Sequence, residues 1–239
     1  MDVEVVDGVS VLRLNRPPVN ALDLALVEDA VATLAGLDGP VVITGAGRCF
    51  SAGVDLRAVA EGGREYTDRF LDVMPASFLA VFDYPGPVVA AINGHAIAGG
   101  CVIAMAADVR LMSGGTIGLT EVAVGVPFPS AALEICRYAM GTSASRAMLG
   151  AQNVDPQTAL QRGWIDAVVS PDDLLAEAIA TARALAAHSP FAYAATKQQL
   201  HRPTLAAIEA AGEIDAQVRA GWLSDDTFAR IGAYLAALK

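Results

Sequence analysis

Two glycine-bearing stretches hold the residues best suited to chemistry, and they would work through backbone, not side chains. The first is GAGRCFSAGVDL, Gly45 to Leu56. Its Ser51-Ala52-Gly53 run permits a sharp turn between a strand and a helix, and such a turn can aim a backbone N–H at a ligand. The helix after it adds positive dipole character. The second is AINGHAIAGGCVIAMAADVR, Ala91 to Arg110. Gly99 and Gly100 open an otherwise apolar helix, although each glycine costs about 1 kcal/mol against alanine. Close approach of a ligand, or tight helix packing, would justify them. From Ala98 to Asp108 the only ionisable group before the aspartate is Cys101, so any acid must come from another segment.

Neither stretch is a nucleotide fingerprint. The first lacks the Lys-Ser/Thr of a P-loop, and Phe50 stands where GxGxxG needs its third glycine.

The elements around them alternate. VEVV, Asp7-Gly8 and VSVLRL spell a hairpin. Residues 23–36 carry helical apolar spacing, and VVIT after Pro40 is a buried strand. Glu61 to Arg64 reads as a break, and 65–82 as a helix kinked or divided at Pro75. PVVAAIN, VRLMS and WIDAVVS are further strands, with short helices at 130–140, 143–150 and after Pro156. From Asp172 the pattern is helical: 172–187, 190–201, 204–221 and 225–238. This layout predicts an α/β fold, with residues 1–171 as its core and 172–239 as a C-terminal helical region.

The 239 residues are 54% hydrophobic and 18% charged, which describes a packed globular chain. A net charge of −10 argues against nucleic acid. Three cysteines without a CxxC pair argue against a disulfide framework or a zinc site and fit a reducing cytoplasm. Pro87 to Ala107 is uncharged and long enough to span a membrane, but Asn93-Gly94-His95 and Gly99-Gly100 interrupt it. The N-terminus shows no secretory signal pattern. The expectation is a cytoplasmic protein with no membrane partner and no metal.

Taken together, FSAGVDL and AINGHAIAGGC resemble the crotonase family, the enoyl-CoA hydratase/isomerase superfamily. NRPPVNAL (Asn15 to Leu22), IGLTEVAVGV and RAMLGAQNVDPQTALQRGWIDAVV extend the likeness along nearly the whole chain. The resemblance implies a crotonase-like spiral of ββα turns with C-terminal helices that pack as a homotrimer or a dimer of trimers. It implies an acyl-CoA thioester as substrate, with coenzyme A entering only as part of that substrate and no separate cofactor. By motif position the oxyanion hole falls on the N–H groups of Val54 and Gly99. Two such donors would stabilise a developing enolate, each by about 3–4 kcal/mol. Ala52, Gly53, Asp55, Leu56 and Gly100 border that site. Arg16, Ala21 and Arg57 are candidates for the CoA moiety, and Phe128 with the 65–82 helix for the acyl tunnel. At the C-terminus Tyr234 replaces the family's phenylalanine and Ala237 its base, which leaves Lys239 as a substitute cation.

The acids decide the chemistry. Relatives that hydrate a double bond commonly use two glutamates. Val102 occupies the place of one, and Glu121, in IGLTEVAVG, that of the other. One carboxylate suffices to move a 3-enoyl double bond to the 2 position, taking a proton from C2 and returning it at C4. The motifs therefore point to an isomerase with Glu121 as sole acid/base. Glu134 could pair with Arg137 three residues on, or face the pocket. Asp68 and Asp72 share an exposed helix face, Asp55 suits a helix N-terminus, Asp108 ends a buried element, and His95 suits a core or pocket wall. An enoyl-CoA hydratase, a non-catalytic acyl-CoA binding homologue, and a dehalogenase or decarboxylase on the same fold are the alternatives.

Overall fold

The computed structural model describes residues 1–237, so Lys239 lies outside the described residues. The chain opens with the Asp7-Gly8 hairpin: β1 (Asp2–Val6) pairs antiparallel with β2 (Val9–Leu14). Helix α1 (Leu24–Ala35) starts where Asp23 accepts a hydrogen bond from the Leu26 N–H. Three turns of one plan follow. The first is β3 (Val41–Gly45), β4 (Cys49–Ser51) and α2 (Leu56–Phe82). The second is β5 (Val88–Ile92), β6 (His95–Ile97) and α3 (Gly99–Ala106). The third is β7 (Val109–Met112), β8 (Ile117–Gly118), the single turn α4 (Glu121–Val124) and α5 (Ser130–Met140).

In each turn the first strand joins a six-stranded sheet and the second a four-stranded one. The large sheet runs β1-β2-β3-β5-β7 and ends on β10 (Ala167–Val168), parallel from β2 onward. The small sheet runs β4-β6-β8 and ends on β9 (Asn153–Val154). β9 and β10 flank α7 (Pro156–Gln161), after α6 (Ala144–Gly150). The pattern is a spiral of ββα turns. Strands β3 and β5 are buried at every residue, as parallel strands covered on both faces must be. One face packs on the main core, which includes Phe50, Phe70 and Phe78. The other is covered by Leu174, Ala178, Ile179 and Ala182 of α8 (Leu174–Ala186). The uncharged Pro87–Ala107 stretch is divided among β5, β6 and α3, and among the described residues no helix is long and apolar enough to cross a membrane.

Two boundaries differ from the sequence expectation. The break in α2 narrows to Gly63, at φ 65°. Pro203 does not divide the next helix, since α9 runs Pro190–Glu209 and the gap falls before α10 (Gly212–Trp222). Lys197, His201 and Thr204 are buried at helical spacing on both sides of Pro203. That continuous packed face outweighs the roughly 3 kcal/mol a mid-helix proline costs.

The C-terminal helices are tied to their own chain. Arg219 of α10 bonds Asp68 (2.7 Å) and Asp72 (2.8 Å) on α2, so those two aspartates are partners rather than free surface. Asp215 accepts from the Ser130 N–H at the head of α5. Arg64 pairs with Asp225 at the start of α11 (Asp225–Ala237). Lys197, buried, bonds Asp108 at 2.9 Å, and the same Asp108 oxygen accepts from the Val88 N–H. Burial pulls the Lys197 amine below its usual range, against the pull of Asp108. Removing one member of such a pair strands the other. Lys197→Met should lower unfolding free energy by about 3–5 kcal/mol in urea titration, and Asp108→Asn added to it should cost less than the sum of the single changes.

Candidate active site

The first donor is set by a short parallel bridge. Leu22 N–H donates to Gly53 C=O at 2.8 Å, and Asp55 N–H donates to Leu22 C=O at 2.9 Å. Backbone groups alternate sides along an extended segment. The Val54 N–H therefore faces away from Leu22, and among the described residues it donates to nothing. Asn20 locks this arrangement. It is buried, with φ 53°, and its Nδ2 donates to the carbonyls of Cys49 (2.7 Å) and Ala46 (2.9 Å). Ser51 Oγ donates to the Asn20 carbonyl at 2.7 Å and accepts from the Gly53 N–H.

The second donor heads α3. The first N–H groups of a helix lack intrahelical acceptors. Ala98 sits at φ 51° before Gly99, with its own N–H held by the Gly118 carbonyl at 2.8 Å. The glycines answer a packing demand. A Cβ on Gly100 would lie 2.4 Å from the Ser51 carbonyl oxygen, and one on Gly99 2.9 Å from a Leu22 methyl. A Cβ on Gly53 would lie 3.0 Å from the Gly99 nitrogen. Main chain therefore meets main chain, which places the Val54 turn beside the helix end.

Both segments border a cavity of about 60 Å³ lined by Ala52, Val54, Leu56, Ile97, Ala98 and Glu121, among others. Gly53, Gly99 and Gly100 stand behind its wall. Glu121 begins α4, and its Oε2 is buried with no hydrogen-bond partner. Among the described residues, no basic side chain lines the cavity. Burial pushes the Glu121 carboxyl up to about 8, against the opposing pull of backbone N–H groups at Glu121 and Thr120. Cys101 and Cys136 are fully buried, and burial followed by nearby acidic groups raises their thiols well above the usual range, so neither supplies a thiolate. Val102 is buried in the apolar core. A larger hollow of about 590 Å³ lies at the other end of α3, but its acid, Asp108, is already paired with Lys197.

The other sequence candidates disperse. Asp55 caps α2, accepting from the Arg57 and Ala58 N–H groups, and pairs with Arg16 at 2.9 Å. Arg16 also bonds Asp23, and these two acids outweigh its desolvation and hold its guanidinium above the ordinary value. Arg57 is exposed and, among the described residues, has no ion-pair partner. Ala21 lies beside Asn20 outside the cavity lining. Glu134 pairs with Arg137 at 2.8 Å, and Phe128 is buried in the core; neither lines the cavity. His95, read as core or pocket wall, is exposed, and its Nδ1 accepts from the Thr116 N–H. Trp222 and Tyr234, from α10 and α11, line the cavity instead. Nothing in the sequence near Glu121 signals them.

The fold and this site are those of a known family. The enoyl-CoA hydratase/isomerase family model matches residues 4–234. The 2,3-dehydroadipyl-CoA hydratase of Escherichia coli is 33% identical over 210 residues, 84% of this chain and 82% of that protein. A probable enoyl-CoA hydratase of Mycobacterium tuberculosis is 32% identical over 198 residues, 80% of this chain and 76% of that protein. The crystal structure of human mitochondrial delta3-delta2-enoyl-CoA isomerase superposes with a TM-score of 0.91 at 27% identity, covering 99% of this chain and 96% of that one. The chain belongs to the enoyl-CoA hydratase/isomerase family and is an enzyme of the crotonase fold.

The raised carboxyl has a stability consequence. A group whose folded pKa lies above its unfolded value stabilises fully below the unfolded value, and that contribution is lost as pH rises through the folded one. For Glu121 the window runs from the ordinary glutamate value of 4.5 to about 8. Against Glu121→Gln, the wild type should lose stability progressively across this window, by a total on the order of a few kcal/mol, and hold a constant difference above it. Melting curves of both proteins at pH 5, 7 and 9 check this.

Proposed function

We propose that this enzyme converts 3-enoyl-CoA thioesters to 2-enoyl-CoA thioesters, with Glu121 as its single acid/base. The observation that carries the reading is a buried carboxylate oxygen without a partner among the described residues, in a cavity lined by Val54 and by Ala98, the residue before α3. The substrate thioester carbonyl accepts from the Val54 and Gly99 N–H groups. The ionised Glu121 takes a proton from C2, and the electron pair moves onto the carbonyl oxygen as a dienolate. The N–H pair stabilises that charge in a site with little water. Glu121 then returns the proton at C4, and the double bond is left between C2 and C3. No atom is gained or lost, and one group serves as base and then acid.

Val102 supports this over hydration, since a valine cannot hold or activate a water. The Escherichia coli and Mycobacterium tuberculosis relatives, a hydratase and a probable hydratase, favour the hydratase reading. Arg57, exposed and unpaired among the described residues, is the better of the two arginine candidates for a CoA phosphate, because Arg16 is held by two aspartates.

Ultraviolet absorbance of the conjugated thioester separates the two reactions. A rise with 3-enoyl-CoA and little change with 2-enoyl-CoA is the expected result, and a fall with 2-enoyl-CoA would mean hydration. Glu121→Gln should reduce isomerisation at least about a hundredfold, the lower range for a positioned acid/base. Because the free carboxyl titrates near 8 and acts first as a base, kcat/KM should climb with pH up to about 8 and level off above it.

A further inference from the structure

We infer that the C-terminal helices make this enzyme selective for short acyl chains, with Trp222 and Tyr234 as the specificity-determining residues. This rests on the isomerase reading of the Glu121 site. The cavity beside Glu121 measures about 60 Å³. That is room for about two to four water-sized groups, whereas pockets for larger ligands run to about 300–1,000 Å³. The thioester carbon and the carbons that exchange the proton fill most of it. Further methylenes need space that Val124, Val126, Trp222 and Tyr234 occupy.

Several ties hold this wall in place. Trp222 is buried, and its indole N–H donates to the Pro127 carbonyl at 2.9 Å. Three residues earlier, Arg219 is clamped by Asp68 and Asp72 of α2. On α11, the Arg230 side chain lies over Gly125, where a Cβ would come within 2.4 Å of its Cδ. Gly125 ends α4, the turn that carries Glu121. Arg64, beside the Gly63 kink, bonds both the Leu223 carbonyl and Asp225 at the α10–α11 junction. The wall is therefore pinned to α2, to the segment before α5 and to the end of α4. Held from three sides, the wall narrows the room beside Glu121. Tyr234 is its exposed member and Trp222 its buried one.

The experiment measures kcat/KM for but-3-enoyl-, hex-3-enoyl- and dec-3-enoyl-CoA, together with calorimetric binding of butanoyl- and decanoyl-CoA. The wild type should favour the four-carbon over the ten-carbon substrate at least tenfold. Tyr234→Ala should raise the ten-to-four-carbon ratio at least fivefold. Trp222→Phe, which keeps a ring in the core, should raise it in the same direction. Equal or better use of the ten-carbon substrate by the wild type would overturn the inference, as would an unchanged ratio in both folded variants. No turnover of any 3-enoyl-CoA, with butanoyl-CoA bound at least tenfold more tightly than decanoyl-CoA, would remove the isomerase reading and leave the size limit standing. Equal binding of the two, or binding of neither, would remove the size limit as well.

Discussion

Everything in the site depends on two stretches of main chain touching. β4 and β6 are parallel neighbours, with Cys49 opposite His95 and Ser51 opposite Ala96. Whatever follows each strand must therefore emerge side by side. After β4 comes the Gly53 turn, and after β6 comes the head of α3. Side chains there would hold the two apart: a Cβ would meet backbone at 2.4 Å on Gly100, and at 3.0 Å where Gly53 faces the Gly99 nitrogen. Glycine at these positions forfeits helix propensity and backbone entropy. In return, Val54 and Ala98, the residue that caps α3, come to border one cavity, with Gly99 directly behind its wall. Asn20 completes the arrangement, because its amide gathers carbonyls that the sharp turn would otherwise leave buried and unpaired.

The same close packing governs the acid. Burial in a cavity whose described lining holds no cation disfavours the charged form of Glu121, and its carboxyl moves to about 8. This burdens the fold at alkaline pH. It suits the role proposed for Glu121, accepting and then donating a proton, since a pKa near the working pH keeps both directions accessible. A second carboxylate at Val102 would raise the conflict further, because two adjacent acids cannot easily share an apolar site. The apolar residue at that position and the raised acid at Glu121 are thus consistent with one another.

Much of the fold was legible because its signals are local. The Asp7-Gly8 turn, the helical apolar spacing of residues 23–36 and the uninterrupted apolar strands each declare themselves within a few residues. The glycine pair was legible as an anomaly, although sequence alone left open whether a ligand or another backbone required it. What could not be read depends on contacts between distant segments. Arg16 and Arg57 look equivalent until Asp23 and Asp55 fold onto the first and leave the second without an ion-pair partner among the described residues. Pro203 looks like a helix end until burial on both sides of it carries α9 through. His95 looks like a wall residue until β6 turns it outward to Thr116. Trp222 lies 101 residues beyond Glu121 in the sequence, and no periodicity connects them.

That division separates reaction from size. The donors and the acid lie on short turns at the ends of β4, β6 and β8, and the spiral fixes their mutual geometry. The closing wall comes largely from α10 and α11, which the spiral does not build; Arg219, Arg64 and Arg230 attach it. Substitutions in α10 or α11 can reshape the cavity without disturbing the contact between Gly53 and Gly99. Changes at the glycines cannot be made so freely, because the same backbone contact positions both donors. On the proposed reading, the chemistry is held by a constraint that tolerates little variation, and the acyl group is selected by one that tolerates more.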